Sequence, residues 1–253
     1  MLANYKKDLD ALTCWQSKWQ MKFNAQKCYV LKFTHARSPH NHTYQLNNII
    51  LAEKKEYPYL GVTLSSNLTW NSHITNTASK ANRTLGFIRR NLYSCSSSVK
   101  NLAYKSLVRP LMEYCASVWD PHTKELIQKL EAIQNRGARF VLNNYDRSSS
   151  VTAMKEKLDW ESLELRRKIT RVATFQQAVT GSLAIPMQTI LRPVQRSSRH
   201  GTYIQRATNK NCFKYSFIPK TLIEWNLLPS SIKEIKDKDK IKPAIRDYYN
   251  KQQ

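Results

Sequence analysis

Apolar residues recur at helical spacing along most of the chain, and the clearest run lies between residues 74 and 92. Ile74, Ala78, Ala81, Leu85, Ile88 and Leu92 are spaced three or four residues apart, which puts them on one face of a helix. Asn67 or Thr69 can cap its start. On the same wheel Arg83 and Arg90 lie nearly opposite the stripe, with Lys80 and Arg89 on its flanks. A packing face is thus backed by an outward row of cations about two turns long.

Upstream the pattern is mixed. Leu9, Leu12, Trp15 and Trp19 predict a helix over 5–22, with Asp8 and Asp10 early and Lys18 and Lys22 late, as the helix dipole favours. The period then changes, and residues 28–33, 43–51 and 57–64 read as strands. A polar loop over 37–41 follows the first, and Asn47-Asn48 is a candidate turn within the second.

Downstream the chain is helical. A helix from Ser97 meets Pro110, which should kink it or begin a new one. Leu126, Leu130, Ile133, Gly137 and Phe140 mark another helix, and 148–150 is a serine linker. A basic helix over 162–179 ends at Gly181, helical runs follow at 217–225 and 237–249, and no internal repeat is found. Residues 182–215 have little periodicity and are expected to order only on contact. The predicted class is α+β, mostly α.

Composition narrows the function. The five glycines lie at 61, 86, 137, 181 and 201, too dispersed for a dinucleotide fingerprint or a phosphate loop, both of which need clustered glycines. Residues 1–10 contain no apolar core, so no signal peptide is expected. No apolar run approaches the ~20 residues needed to cross a bilayer. Cysteines at 14, 28, 95, 115 and 212 form no zinc spacing and suit a reducing compartment. The expected location is intracellular, cytoplasmic or nuclear, without a membrane.

Forty-one basic residues against 18 acidic ones give a formal charge of +23. No acid occurs between Glu56 and Glu113, a stretch holding Lys80, Arg83, Arg89, Arg90, Lys100, Lys105 and Arg109. None occurs between Glu164 and Glu224, which holds Arg166, Arg167, Lys168 and Arg171 among others. Cations at this density repel one another unless a polyanion neutralises them, and nucleic acid is the usual one. A solvated basic surface with no cognate ligand is the plainer alternative. Tyr59 and Gly61 add a stacking face and a place for close backbone approach.

Catalytic chemistry is not apparent. Asp8/Asp10 and Asp237/Asp239 are each two residues apart on predicted helices, hence about 200° apart around the axis and unable to share a metal. His40 and His42 have no carboxylate nearby. No catalytic residue and no metal site is assigned.

Several segments resemble one family. Residues 8–28, with Trp15, Trp19, Met21, Phe23 and Asn24, resemble the stretch after the catalytic hairpin in reverse transcriptases of non-LTR, LINE-type, jockey-like retrotransposons. Tyr59-Leu60-Gly61-Val62-Thr63-Leu64 is similar to that family's primer-grip block. Leu68 to Ile74 and Lys80 to Phe87 resemble the start of its thumb, while Arg109-Pro110-Leu111 through Pro121 and Leu130 through Phe140 resemble later thumb helices. Phe217 to Pro229 resembles a motif of the C-terminal extension.

The resemblance implies a partial palm over 1–66, a helical thumb over 67–147 and a basic helical extension over 148–253. It further implies that the catalytic aspartates lie upstream of Met1, with Mg²⁺ confined to that palm and no cofactor in this chain. The expected function is binding of RNA or RNA–DNA duplex through its backbone by a polymerase segment inactive alone. The expected contacts are Tyr59, Leu60, Gly61, Lys80, Arg83, Arg89, Arg90, Arg109, Arg166, Arg167 and Arg171. Two alternatives stand beside it: a scaffold relic whose partner chain supplies the fingers and catalytic palm, and part of an intact, active reverse transcriptase.

Overall fold

The computed structural model describes residues 2–34, 36, 42–194, 203–204 and 207–252. The loop expected over 37–41 and most of 195–206 lie outside these. The chain divides into two compact units, residues 1–73 and 74–253.

The first unit holds helix α1 (Leu2–Trp19) and six short strands, β1 (Tyr29–Val30), β2 (Gln45–Leu46), β3 (Ile49–Ile50), β4 (Ala52–Glu53), β5 (Glu56–Tyr59) and β6 (Val62–Ser65). They pair two by two: β1 with β4 in parallel, β2 with β3 and β5 with β6 antiparallel. Asn47 and Asn48 do form the expected turn, both with positive φ, because short polar side chains tolerate that region in a two-residue hairpin. Gln16 and Asn47 exchange side-chain hydrogen bonds of 3.2 and 2.9 Å and tie α1 to this hairpin.

The expected strand over 57–64 is instead a second hairpin. Leu60 and Gly61 take φ of 48° and 82°, so the chain reverses in the middle of what reads as one extended run. The first expected strand also shrinks to Tyr29–Val30.

His73 closes the first unit. It is buried, and its Nδ1 accepts the backbone N–H of Thr63 at 3.2 Å. Burial pushes its pKa below the ordinary histidine value. A base whose folded pKa is depressed gives stability that is full above the unfolded value, about 6.5. That stability is lost as pH falls through this value toward the folded one. Acidification should therefore loosen the β5–β6 hairpin first. In an NMR titration the His73 ring should have a midpoint below 6.5, with Thr63 amide exchange accelerating over the same range; a midpoint at or above 6.5 would refute this.

The second unit is helical. It contains most of α2 (Asn71–Asn91), then α3 (Ser97–Ala103), α4 (Ala116–Trp119), α5 (Lys124–Leu142), α6 (Val151–Lys157), α7 (Leu163–Val179), α8 (Met187–Ile190), α9 (Asn211–Lys214), α10 (Phe217–Asn226), α11 (Ser230–Lys233) and α12 (Lys238–Asn250). Ser96, Ser150 and Ser162 cap α3, α6 and α7 by accepting backbone N–H groups two or three residues into each helix. The serine run at 148–150 thus serves as turn and cap, and no unit boundary falls there.

The helix from Ser97 breaks earlier than Pro110. Residues Tyr104–Val108 form a π turn, and Arg109–Met112 a tight 3₁₀ turn carrying the proline near its start. The packing of Tyr104 accounts for it. Its ring is fully buried, stacks on Trp160 at 4.2 Å and lies against Gly137, where a Cβ would sit 2.6 Å from the ring. Only glycine on α5 admits the ring at that depth.

Two apolar layers result. The α2 stripe of Ile74, Ala78, Ala81, Leu85 and Ile88 is buried as expected, as are Leu126, Leu130, Ile133 and Phe140 of α5. Farther along, Ile169, Val172 and Phe175 of α7 pack with Trp225, Ile241 and Ile245 in one cluster.

Candidate nucleic-acid interface

The row on α2 emerges as its spacing requires. Lys80, Arg83, Arg89 and Arg90 are exposed while the stripe behind them is buried. None of the four is engaged by a carboxylate among the described residues. Arg89 instead lies over the Tyr145 ring, 5.7 Å from its centre. Uncompensated guanidinium and ammonium groups on a rigid helix can donate to phosphate oxygens.

Tyr59, Leu60 and Gly61 are also exposed, at the tip of the β5–β6 hairpin in the first unit. Leu60 is 74% exposed and left-handed. A bulky apolar residue in that region is strained, and strain retained at an exposed tip is more common where a surface is used.

The α7 arginines behave otherwise, and the expectation that they face a ligand is not met. Arg167 and Arg171 are each 1% exposed. Arg167 Nε donates to Asp120 Oδ1 at 2.9 Å, while Arg171 bonds both Asp120 Oδ2 and Glu224. Lys220 adds a bond of 2.6 Å to Asp120. Arg166 is engaged by Glu113 and Glu161. Arg109, half-buried, lies within electrostatic reach of the same groups; burial, then Arg166, pushes its pKa down. Arg166, Arg167 and Arg171 are thus neutralised from within, by carboxylates that lie 47 to 53 residues away apart from Glu161. A signal was present: Leu163, Arg167, Arg171 and Phe175 are each four apart and share the apolar face.

Three residues beside the α2 row are not among the contacts expected from the sequence, where Lys100 counts only as one cation of the acid-free stretch. Tyr93 and Tyr145 are exposed, and Lys100 on α3 is buried. Lys100 has the same kind of signal, four residues before the buried Tyr104. Among the described residues no group of three His, Cys, Asp or Glu side chains converges as a metal site would. No described helix is long and apolar enough to cross a membrane.

Comparison with known proteins adds a lineage to this geometry. Over 138 residues, 53% of the chain, the sequence is 31% identical to the RNA-directed DNA polymerase from mobile element jockey of Drosophila melanogaster. About half of the chain is thus similar to the polymerases of jockey-like non-LTR retrotransposons. The Drosophila funebris jockey polymerase is 33% identical over 141 residues, and the probable RNA-directed DNA polymerase from transposon BS of Drosophila melanogaster is 28% identical over 140. Each match covers 53% of this chain and only 15% of the relative. No family model and no solved structure matches. The jockey-like resemblance and the helical, strand-poor architecture therefore stand on independent observations.

Proposed function

We propose that this chain is the C-terminal portion of a retrotransposon reverse transcriptase, and that it grips RNA or RNA–DNA duplex through the sugar–phosphate backbone. The carrying observation is the α2 row: four exposed cations without carboxylate partners among the described residues, backed by a buried stripe. The relatives are RNA-directed DNA polymerases, which makes such a duplex the natural polyanion. In this reading the two-metal chemistry belongs to a palm that these residues do not contain, and the contribution here is holding the duplex.

Backbone binding by counterion release is salt-steep. If about six phosphates are engaged, affinity for an RNA–DNA hybrid should fall roughly 10³-fold between 50 and 200 mM salt. An Arg83→Ala/Arg90→Ala double variant should bind more weakly and lower the log–log salt slope by about two. A slope indifferent to both arginines would place the duplex elsewhere and sink the reading.

A second reading has its own observation. Trp15, Trp19, Met21, Phe33 and Ile50 in the first unit are all more than 40% exposed, beside strands only two residues long. A chain supplying the fingers and catalytic palm would cover such a surface. Copurification with that polypeptide, lost in a Trp15→Ser/Trp19→Ser variant, is the expected result; undiminished copurification would contradict it.

A further inference from the structure

Between the last turn of α2, the start of α3 and the end of α5 runs a groove of about 600 Å³. Arg89, Arg90, Tyr93, Lys100, Phe140 and Tyr145 line it, and no carboxylate does. The six residues fall within one compact unit.

Lys100 is the residue that folding alone does not explain. It is 4% exposed, yet its ammonium has no carboxylate partner among the described residues and stands 5.3 Å from the centre of the Phe140 ring. Its stem is packed away, so the ammonium is held at the groove and kept from swinging out into bulk solvent. Two arginines beside it raise the local positive potential further. A negatively charged ligand on Arg89, Arg90 and Lys100 would turn three repelling cations into charge-assisted hydrogen bonds.

The aromatic rim narrows the ligand. Tyr93 is 75% exposed and Tyr145 is 52% exposed, with Arg89 across its ring. Tyrosine and guanidinium planes stack on nucleobases. Bases inside a duplex have both faces covered by their neighbours, so only an unpaired base can use such a rim. The volume suits one nucleotide and is well below that of a helix.

We propose that this groove is a subsite for a single unpaired nucleotide, its phosphate on Arg89, Arg90 and Lys100 and its base against Tyr93 or Tyr145. The subsite deepens the duplex-binding reading by taking the strand where pairing ends, and it can be tested apart from that reading.

The full chain is titrated with three probes: a blunt RNA–DNA hybrid, the same hybrid with a short single-stranded extension, and the single strand alone. The extension should raise affinity about tenfold, in line with stacking of one base. Tyr93→Ala/Tyr145→Ala should abolish that gain, leave blunt-hybrid binding within about twofold and weaken single-strand binding by a similar factor. Lys80→Ala/Arg83→Ala should weaken the blunt hybrid while preserving the tyrosine dependence of the single strand. Equal affinity for blunt and extended hybrids, or a gain that survives loss of both tyrosines, overturns the subsite. Failure of the blunt hybrid with tyrosine-dependent single-strand binding intact overturns the duplex reading alone.

Discussion

Replacing Asp120 with alanine should unfold the helical unit under conditions where the parent chain is intact. Asp120 is 8% exposed and receives Arg167, Arg171 and Lys220 at once. Its loss leaves Glu224 as the carboxylate beside three cations, two of them wholly buried. Breaking a buried ion pair by removing one partner costs about 3–5 kcal/mol, because the charge left behind stays desolvated. That is a large part of the stability of an ordinary domain. Chemical denaturation should show the loss as a lower midpoint with little change in slope. A shift worth less than about 1 kcal/mol would mean that solvent reaches the arginines and that the cluster is not buried in solution.

The second large effect concerns Tyr104 and Gly137. Tyr104→Ala empties a fully buried site and removes the stack on Trp160, a loss of about 3–5 kcal/mol. Gly137→Ala thrusts a methyl to within 2.6 Å of the Tyr104 ring, which is itself stacked on Trp160. Overpacking of this kind costs about 1–3 kcal/mol. The double variant should be more stable than the sum predicts by about 1 kcal/mol or more, since the new methyl partly fills the space the ring vacates. Strict additivity in denaturant titrations would show that the two sites do not touch.

How far the sequence disclosed this architecture depends on how local each determinant is. The stripes on α2 and α5 repeat over several turns, and they can be read without knowing what packs against them. Asn47-Asn48 announced its hairpin because both residues favour the left-handed region. Leu60-Gly61 did not, since a leucine before the glycine lacks that signature and Tyr57 through Leu64 continues as an extended run. The α7 arginines were misread for a different reason. Charge counted along a window shows where cations lie but not where their acids are, and Asp120 and Glu224 are 47 to 53 residues away from them. That Tyr93, Lys100 and Tyr145 belong together was not legible, because three separate helical segments bring them to one groove.

The carboxylate of Asp120 and the ammonium of Lys220 are 100 residues apart in the chain, and Glu224 follows four residues later. A ribosome therefore delivers Arg167 and Arg171 well before the groups that complete their neutralisation. Until α10 has cleared the exit tunnel Arg171 lacks its second carboxylate, and burying the charged face of α7 costs correspondingly more. A premature stop codon ahead of Glu224 would leave Arg167 and Arg171 to share Asp120 alone, so the charge balance of α7 depends on a codon 53 positions beyond Arg171.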